Sequence, residues 1–291
     1  MTLSASARLD LPVVRTWRSA RFRLLIAGVL SVFGLLLCVS MSRILLAGGG
    51  IPLEDFIPYY GAALRMGSGE SPYSVEQLAG PIDAVCQGCY IYPPLLAQLM
   101  VPLTGLSLEA AKVPWALLVS GAAFASAWVG AGVGGADRSW ERVLWTIAAT
   151  TWFLPVFHSV WLGNVSTLIA LGAAMVALGG VSAGLGAAFT TWLKVSPLVD
   201  VPLAVLADPR ARASVVIALL ALLLPFVVLA PAAWMDTPLM LLNLVRGSGE
   251  VYLNLAPAAM ASNVDWPEAP VTAVRLVALA GGAAALLAAM W

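Results

Sequence analysis

The chain is poor in charge. Only 10% of its 291 residues are charged, 15 basic and 15 acidic, while 61% are hydrophobic. So few charges cannot clothe a soluble domain of this length, and their balance leaves no general basic field for nucleic acid. Histidine occurs once, at His158, and cysteine three times, at Cys38, Cys86 and Cys89. A His-Glu-x-x-His zinc hydrolase is thereby excluded. There is no Gly-x-x-x-x-Gly-Lys-Ser/Thr phosphate loop and no Gly-x-Gly-x-x-Gly following a strand, which argues against nucleotide-driven chemistry. No repeat of 20 to 50 residues is visible, so solenoid architectures fall away.

What the chain does have is long apolar runs separated by short polar breaks. Arg8, Arg15, Arg18, Arg21 and Arg23 precede an apolar run from Leu24 to Ser42, long enough for the roughly 30 Å hydrocarbon core. The run has no clear small-x-small cleavage site, so it reads as an uncleaved signal-anchor with residues 1–23 in the cytoplasm. Residues 43–91 carry too many Gly, Pro, Glu and Asp to cross lipid and form a first outer loop, because unpaired backbone groups there cost several kcal/mol each. The run 92–103 is short and reads as an interfacial or half-inserted helix. Further spans are expected at 113–133, 143–160, 165–178 and 213–230, with a broken pair over 183–206 and a last span from Val271. Arginines gather again at Arg138 and Arg142 and at Arg210 and Arg212, which sets those breaks in the cytoplasm by the positive-inside rule. A second outer loop is expected over 231–270. The expectation is an all-α polytopic membrane protein of about eight crossings, with 24–291 as one transmembrane domain.

Against this apolar background a few polar residues stand out. Glu54 and Asp55 open the first outer loop ahead of Tyr59 and Tyr60. They read either as a solvated pair at the start of an interfacial helix, or as a carboxylate placed to take a proton from a polar group at the membrane surface. Lys194 lies where a lysine costs roughly 2.5 to 3.5 kcal/mol unless it snorkels or meets an anion. Ser196-Pro197 follows and breaks the helix. It reads as a phosphate-binding point charge, with snorkelling or pairing to Asp200 as the alternative. Asn164, at the Gly163-Asn164 turn, is suited to bonding a sugar or phosphate, or to capping the next helix. His158 and Trp161, just before the turn, read as a structural histidine and an interfacial belt residue. Cys86-Gln87-Gly88-Cys89 reads first as a structural disulfide outside the cytoplasm, since a zinc site needs ligands that are not nearby. Cys38 needs no special role.

The order of these motifs resembles glycosyltransferase family 87, polyprenol-phosphate-mannose-dependent mannosyltransferases of the GT-C fold. The resemblance rests on Asp55-Phe56, Tyr59-Tyr60-x-Ala62-Ala63, Gly69-x-x-x-Tyr73, Tyr90-x-Tyr92-Pro93-Pro94-Leu95, the Gly163-Asn164-Val165-Ser166 turn and Lys194-x-x-Pro197. The chain is shorter than expected for the family, and Tyr252-x-Asn254 and Asn263 match its second polar loop only loosely. The resemblance implies transfer of a sugar, mannose, from a polyprenyl-phosphate donor to a hydroxyl of a glycan or glycolipid acceptor, outside the plasma membrane and with inversion. It implies Asp55 as general base. Lys194, with Arg65 or Arg246, would face the departing phosphate, and Glu54, Tyr59, Tyr60, Tyr92 and Asn164 would line the substrate site. No cofactor is required, although Glu54 and Asp55 offer Mg²⁺ or Mn²⁺ a weak seat. The competing readings are a transporter or flippase of lipid-linked substrates, built on the broken helix at Lys194, and an inactive scaffold subunit.

Overall fold

The computed structural model describes residues 19–47, 53–82, 88–136, 139–194, 201, 205, 209–246, 273 and 277. The basic segment 1–18, Cys86, Ser196, Pro197, Asp200, Tyr252, Asn254, Asn263 and nearly all of the expected last span lie outside them. Among the described residues every regular element is helical and there is no strand. Three helices are long and apolar enough to cross a membrane: α1 (Ala20–Ala47), α5 (Leu108–Val133) and α10, Pro209–Leu229. On α1, Leu25, Val29, Val32, Phe33 and Leu36 are exposed; in a membrane this face meets lipid and leaves no soluble surface to explain.

A bent pair, α6 (Ser139–Trp152) and α7 (Leu154–Leu162), whose axes differ by 69°, is either a broken fourth span or a re-entrant loop. The bend has a local cause. Pro155 brings no amide hydrogen to the ladder, and Phe153 leaves helical geometry at ψ 92°. Just before it, the Thr150 and Thr151 hydroxyls donate back to the carbonyls of Thr146 (2.9 Å) and Ile147 (2.8 Å), a contact that bends helices.

The described residues thus offer three or four crossings where the sequence reading counted about eight. Two of the expected spans are too short. In α8 (Ser166–Leu178) and α9 (Gly180–Leu193) there are 13 and 14 residues, about 20 Å each at 1.5 Å per residue, against a core of about 30 Å. They double back at Gly179 and Gly180, both at positive φ, and form a hairpin packed between α5 and α10. Close approach holds it together: a Cβ on Gly172 would lie 2.0 Å from the Thr190 methyl. Small residues at such a crossing supply the contact that lipid-exposed helices need.

One end of the bundle is tied by charge. Glu141, 2% exposed near the start of α6, is held by Arg23 of α1, with Nε at 2.6 Å and Nη2 at 3.4 Å from its two oxygens. Arg23→Ala would remove the cation opposite a buried carboxylate. A loss of about 3 kcal/mol is expected, read as a lowered unfolding midpoint in detergent, whereas Arg23→Lys should keep most of it.

The other end carries the polar helices. Here α2 (Phe56–Gly67), α3 (Val75–Ala79) and α4 (Pro94–Met100, running into a 3₁₀ turn to Gly105) build the first loop. Ser74 and Gln77 form a reciprocal capping box at the start of α3. The second expected loop, 231–270, begins instead as a 16-residue helix, α11 (Pro231–Arg246). Trp234, Thr237, Met240 and Asn243 recur every third residue, and this face lies on the first loop. Asn243 donates to the carbonyls of Gln77 and Leu78 at 3.0 and 3.2 Å and accepts from the Ile82 amide at 3.0 Å through its own carbonyl. Trp234 donates to Gln98 at 3.3 Å. A loop that buries its polar groups in this way becomes a wall.

Candidate active site

The site begins with the α7–α8 turn. Helix α7 ends at Gly163, whose φ of +69° suits a residue without Cβ. A Cβ there would also meet Leu53 and Trp115 at 3.1 Å. Trp115, buried in α5, donates its indole N–H to the Gly163 carbonyl at 2.7 Å. The turn is therefore fixed to a spanning helix.

The first loop docks on this turn. The Asp55 amide donates to the Leu162 carbonyl at 2.9 Å, and the Phe56 amide closes a tight turn onto Leu53 at 3.0 Å. Leu53 is buried at φ +35°, an unusual backbone state for a branched side chain. Such a state persists where surrounding contacts impose it, and it clusters at functional sites. Phe56 lies against Trp115, ring centres 5.7 Å apart. These contacts leave the Asp55 side chain facing Asn164.

Asn164 is oriented without ambiguity. Its Oδ1 accepts from the Ser166 amide at 2.8 Å and from the Ser166 hydroxyl at 2.5 Å, so its Nδ2 must face Asp55, donating to Oδ2 at 2.5 Å. Asn164 serves α8 and Asp55 together. The other oxygen of Asp55, Oδ1, has no partner among the described residues, and Asp55 is half-buried. A carboxylate held at one oxygen and open at the other can accept a proton from a ligand.

Tyrosines wall the far side. Tyr59, one turn beyond Asp55, donates to the Tyr92 hydroxyl at 3.2 Å. Tyr73 donates to the Tyr92 carbonyl at 2.9 Å and shares a hydrogen bond with Thr237 of α11 at 3.1 Å. Tyr90 is fully buried, donates to the Pro93 carbonyl at 2.6 Å and accepts from the Ala97 amide at 3.1 Å. Burial raises all four phenols; at Tyr59 the neighbouring Tyr92 and the Asp55 carboxylate add to it. They stay protonated and act as neutral hydrogen-bonding groups.

Lys194 completes the arrangement. Helix α9 ends at Leu193, and Lys194 continues in extended geometry with its ammonium 5.7 Å from the centre of the Tyr92 ring. That lies within cation–π range. Among the described residues Lys194 has no anionic partner, and Asp200 is not among them. Asp55, Asn164, Tyr59, Tyr92 and Lys194, separated by up to 139 positions in sequence, therefore meet at one end of the bundle.

Other sequence candidates lie elsewhere. Tyr60 turns away from Asp55 and donates to the Leu106 carbonyl at 2.6 Å, so it ties α2 to the entry of α5. Arg65 is bound to the Pro72 carbonyl, and burial lowers it despite Glu70 and Glu76 nearby. Glu54 is exposed beside Asp55, and Arg246 is the last residue of α11, its side chain outside the described atoms. His158 is exposed, and Trp161 stacks on Phe157. Cys38 is free and Cys89 is disulfide-bonded. Among the described residues no three His, Cys, Asp or Glu side chains gather as a metal site would require. The sequence reading missed Trp115 and Thr237 as supports, and nothing local in the chain signals them; Ser166, two residues from Asn164, stood in the quoted turn but without this role.

No curated protein and no solved structure matches the chain. A family model does, that of glycosyltransferase family 87, over residues 90–291. The matched segment holds Tyr92, Asn164 and Lys194, while Asp55 and Tyr59 precede it and join the site by contact. A membrane-embedded helical chain with this match over most of its length belongs to glycosyltransferase family 87.

Proposed function

We propose that this membrane glycosyltransferase moves mannose from a polyprenyl-phosphate carrier to a hydroxyl of a glycan or glycolipid acceptor, with inversion, in a GT-C-type bundle. The observation that carries this is an Asp55 carboxylate held by Asn164 at one oxygen, at the head of a helix whose Tyr59 bonds Tyr92, with the Lys194 ammonium over the Tyr92 ring. Asp55 takes the proton of the acceptor hydroxyl as its oxygen bonds to the anomeric carbon. The bond from that carbon to the phosphate oxygen breaks, and the electron pair leaves on the phosphate. Lys194 faces the charge that develops there. The transfer is thus a single displacement, aided by positioning and by a fixed cation in a site walled off from water.

The face of the membrane follows from charge. Arginines cluster in sequence ahead of the first span and around 138–142 and 210–212, which the positive-inside rule sets in the cytoplasm, leaving the first loop and Asp55 outside. On this reading the N-terminus is cytoplasmic and the membrane is the plasma membrane.

The donor class is tested with purified protein, octyl α-mannoside as acceptor, and radiolabelled mannose supplied either as polyprenyl-phosphate mannose or as a nucleotide sugar. Label should reach the acceptor from the lipid donor only. Transfer from the nucleotide sugar would overturn the proposal. Turnover should also survive EDTA, because one oxygen of Asp55 is already bound by Asn164 and Glu54 stands alone beside it. A loss restored by Mg²⁺ or Mn²⁺ would place a cation at Glu54 and Asp55.

A further inference from the structure

The arrangement raises a question that the roles of Asp55 and Lys194 leave open. A displacement needs its base and its leaving-group cation set at a fixed separation, yet the two come from different helices and do not touch each other. Asp55 stands at the start of α2, and Lys194 leaves the end of α9. Tyr92 reaches Lys194 with its ring and α2 with its hydroxyl.

We infer that Tyr92 is a positioning residue that couples the two halves of the site, its ring carrying the Lys194 ammonium and its hydroxyl holding Tyr59, one turn beyond Asp55 on α2. The ring centre is 5.7 Å from Nζ, and the hydroxyl accepts from Tyr59 at 3.2 Å. Tyr92 is itself held on several sides. Its carbonyl accepts from Tyr73 at 2.9 Å, Tyr73 is joined to Thr237 of α11, and the ring meets Tyr59 edge-on at 5.1 Å. It is 7% exposed. A side chain fixed this firmly can set a distance between two groups that have little support of their own. Lys194 is on an extended strand-like residue at a helix end, and its long side chain is otherwise free to sample many rotamers.

The two functions of Tyr92 separate by substitution. Tyr92→Phe keeps the ring and removes the hydroxyl. The Lys194 seat remains, while Tyr59 and the α2 helix that Asp55 opens lose their tie to Tyr92. Tyr92→Leu removes both.

The inference rests on Lys194 as the phosphate-binding cation, so the experiment measures that directly. Binding of polyprenyl monophosphate and turnover of polyprenyl-phosphate mannose with octyl α-mannoside would be followed in the full chain in nanodiscs. Tyr92→Phe should lower kcat about tenfold and leave phosphate binding and the donor KM within about twofold. Tyr92→Leu should also weaken phosphate binding about tenfold, with no further weakening when combined with Lys194→Ala. Equal losses in kcat and binding for Tyr92→Phe, or no change in either, would overturn the coupling. So would additive losses in the double variant. If Tyr92→Leu fails to fold, Tyr92→Phe carries the test alone, because its packing is unchanged. A wild-type protein that does not bind polyprenyl monophosphate, or a Lys194→Ala variant that binds it normally, would overturn the phosphate reading itself and the coupling with it.

Discussion

Asp55→Asn is expected to reduce transfer about 10⁴-fold, the upper range for loss of a general base, while leaving the protein folded and the donor bound. The substitution is nearly isosteric, and the new carboxamide oxygen can still accept from Nδ2 of Asn164, which is fixed by Ser166. The Asp55 amide keeps its bond to Leu162 and the Phe56 amide its bond to Leu53, so the strained Leu53 turn has no reason to relax. What disappears is the capacity of the open oxygen to take a proton. Initial rates with polyprenyl-phosphate mannose, set beside polyprenyl monophosphate binding, check this. A variant that retains more than about a tenth of wild-type kcat, against the two to four decades a general base supplies, would remove Asp55 from the base role. Loss of both activity and binding would make it a structural residue of the turn.

Asp55 was readable in the sequence because a carboxylate is conspicuous in an apolar chain, and Lys194 for the same reason. Each is costly in or beside lipid and invites a reason for being there. What joins them was less visible. Trp115 reaches Gly163 across 48 positions, and Thr237 reaches Tyr73 across 164. Contacts of that range leave no periodic trace in either segment. Tyr59 and Tyr60, adjacent in sequence, face different ways. At 100° per residue Tyr59 returns to the Asp55 face of the helix while Tyr60 falls about 140° away, where it meets the Leu106 carbonyl.

The described residues hold three or four of the roughly eight expected crossings. Apolar composition was counted as a crossing in α8 and α9, although 13 or 14 residues fall short of the bilayer core. Their apolar surface is turned in part to neighbouring helices, and hydropathy does not distinguish a lipid face from a protein face. The first 16 residues of the expected second outer loop form a helix, α11, whose polar Thr237 and Asn243 bind it to the first loop. In a membrane protein a polar residue can be the packing face.

Lys194→Ala is expected to lower kcat/KM for the lipid donor about 10³-fold, in the range for removal of a group aimed at developing charge. The lysine is placed for this because α9 stops one residue earlier and the ammonium lies over the ring of Tyr92. The leaving phosphate gains negative charge as the glycosidic bond breaks, and a nearby fixed cation in poorly hydrated surroundings stabilises that change more than it stabilises the bound donor. Both kcat and binding should therefore fall, kcat further. Lys194→Arg should recover part of the rate, since it restores charge with a different reach and shape. A snorkelling lysine behaves differently. Lys194→Met would then keep near-normal kcat/KM, and only stability would change. Asp200→Asn separates the remaining case. If Lys194 served chiefly to neutralise Asp200, that substitution combined with Lys194→Met would restore turnover, whereas a phosphate-facing lysine predicts no rescue.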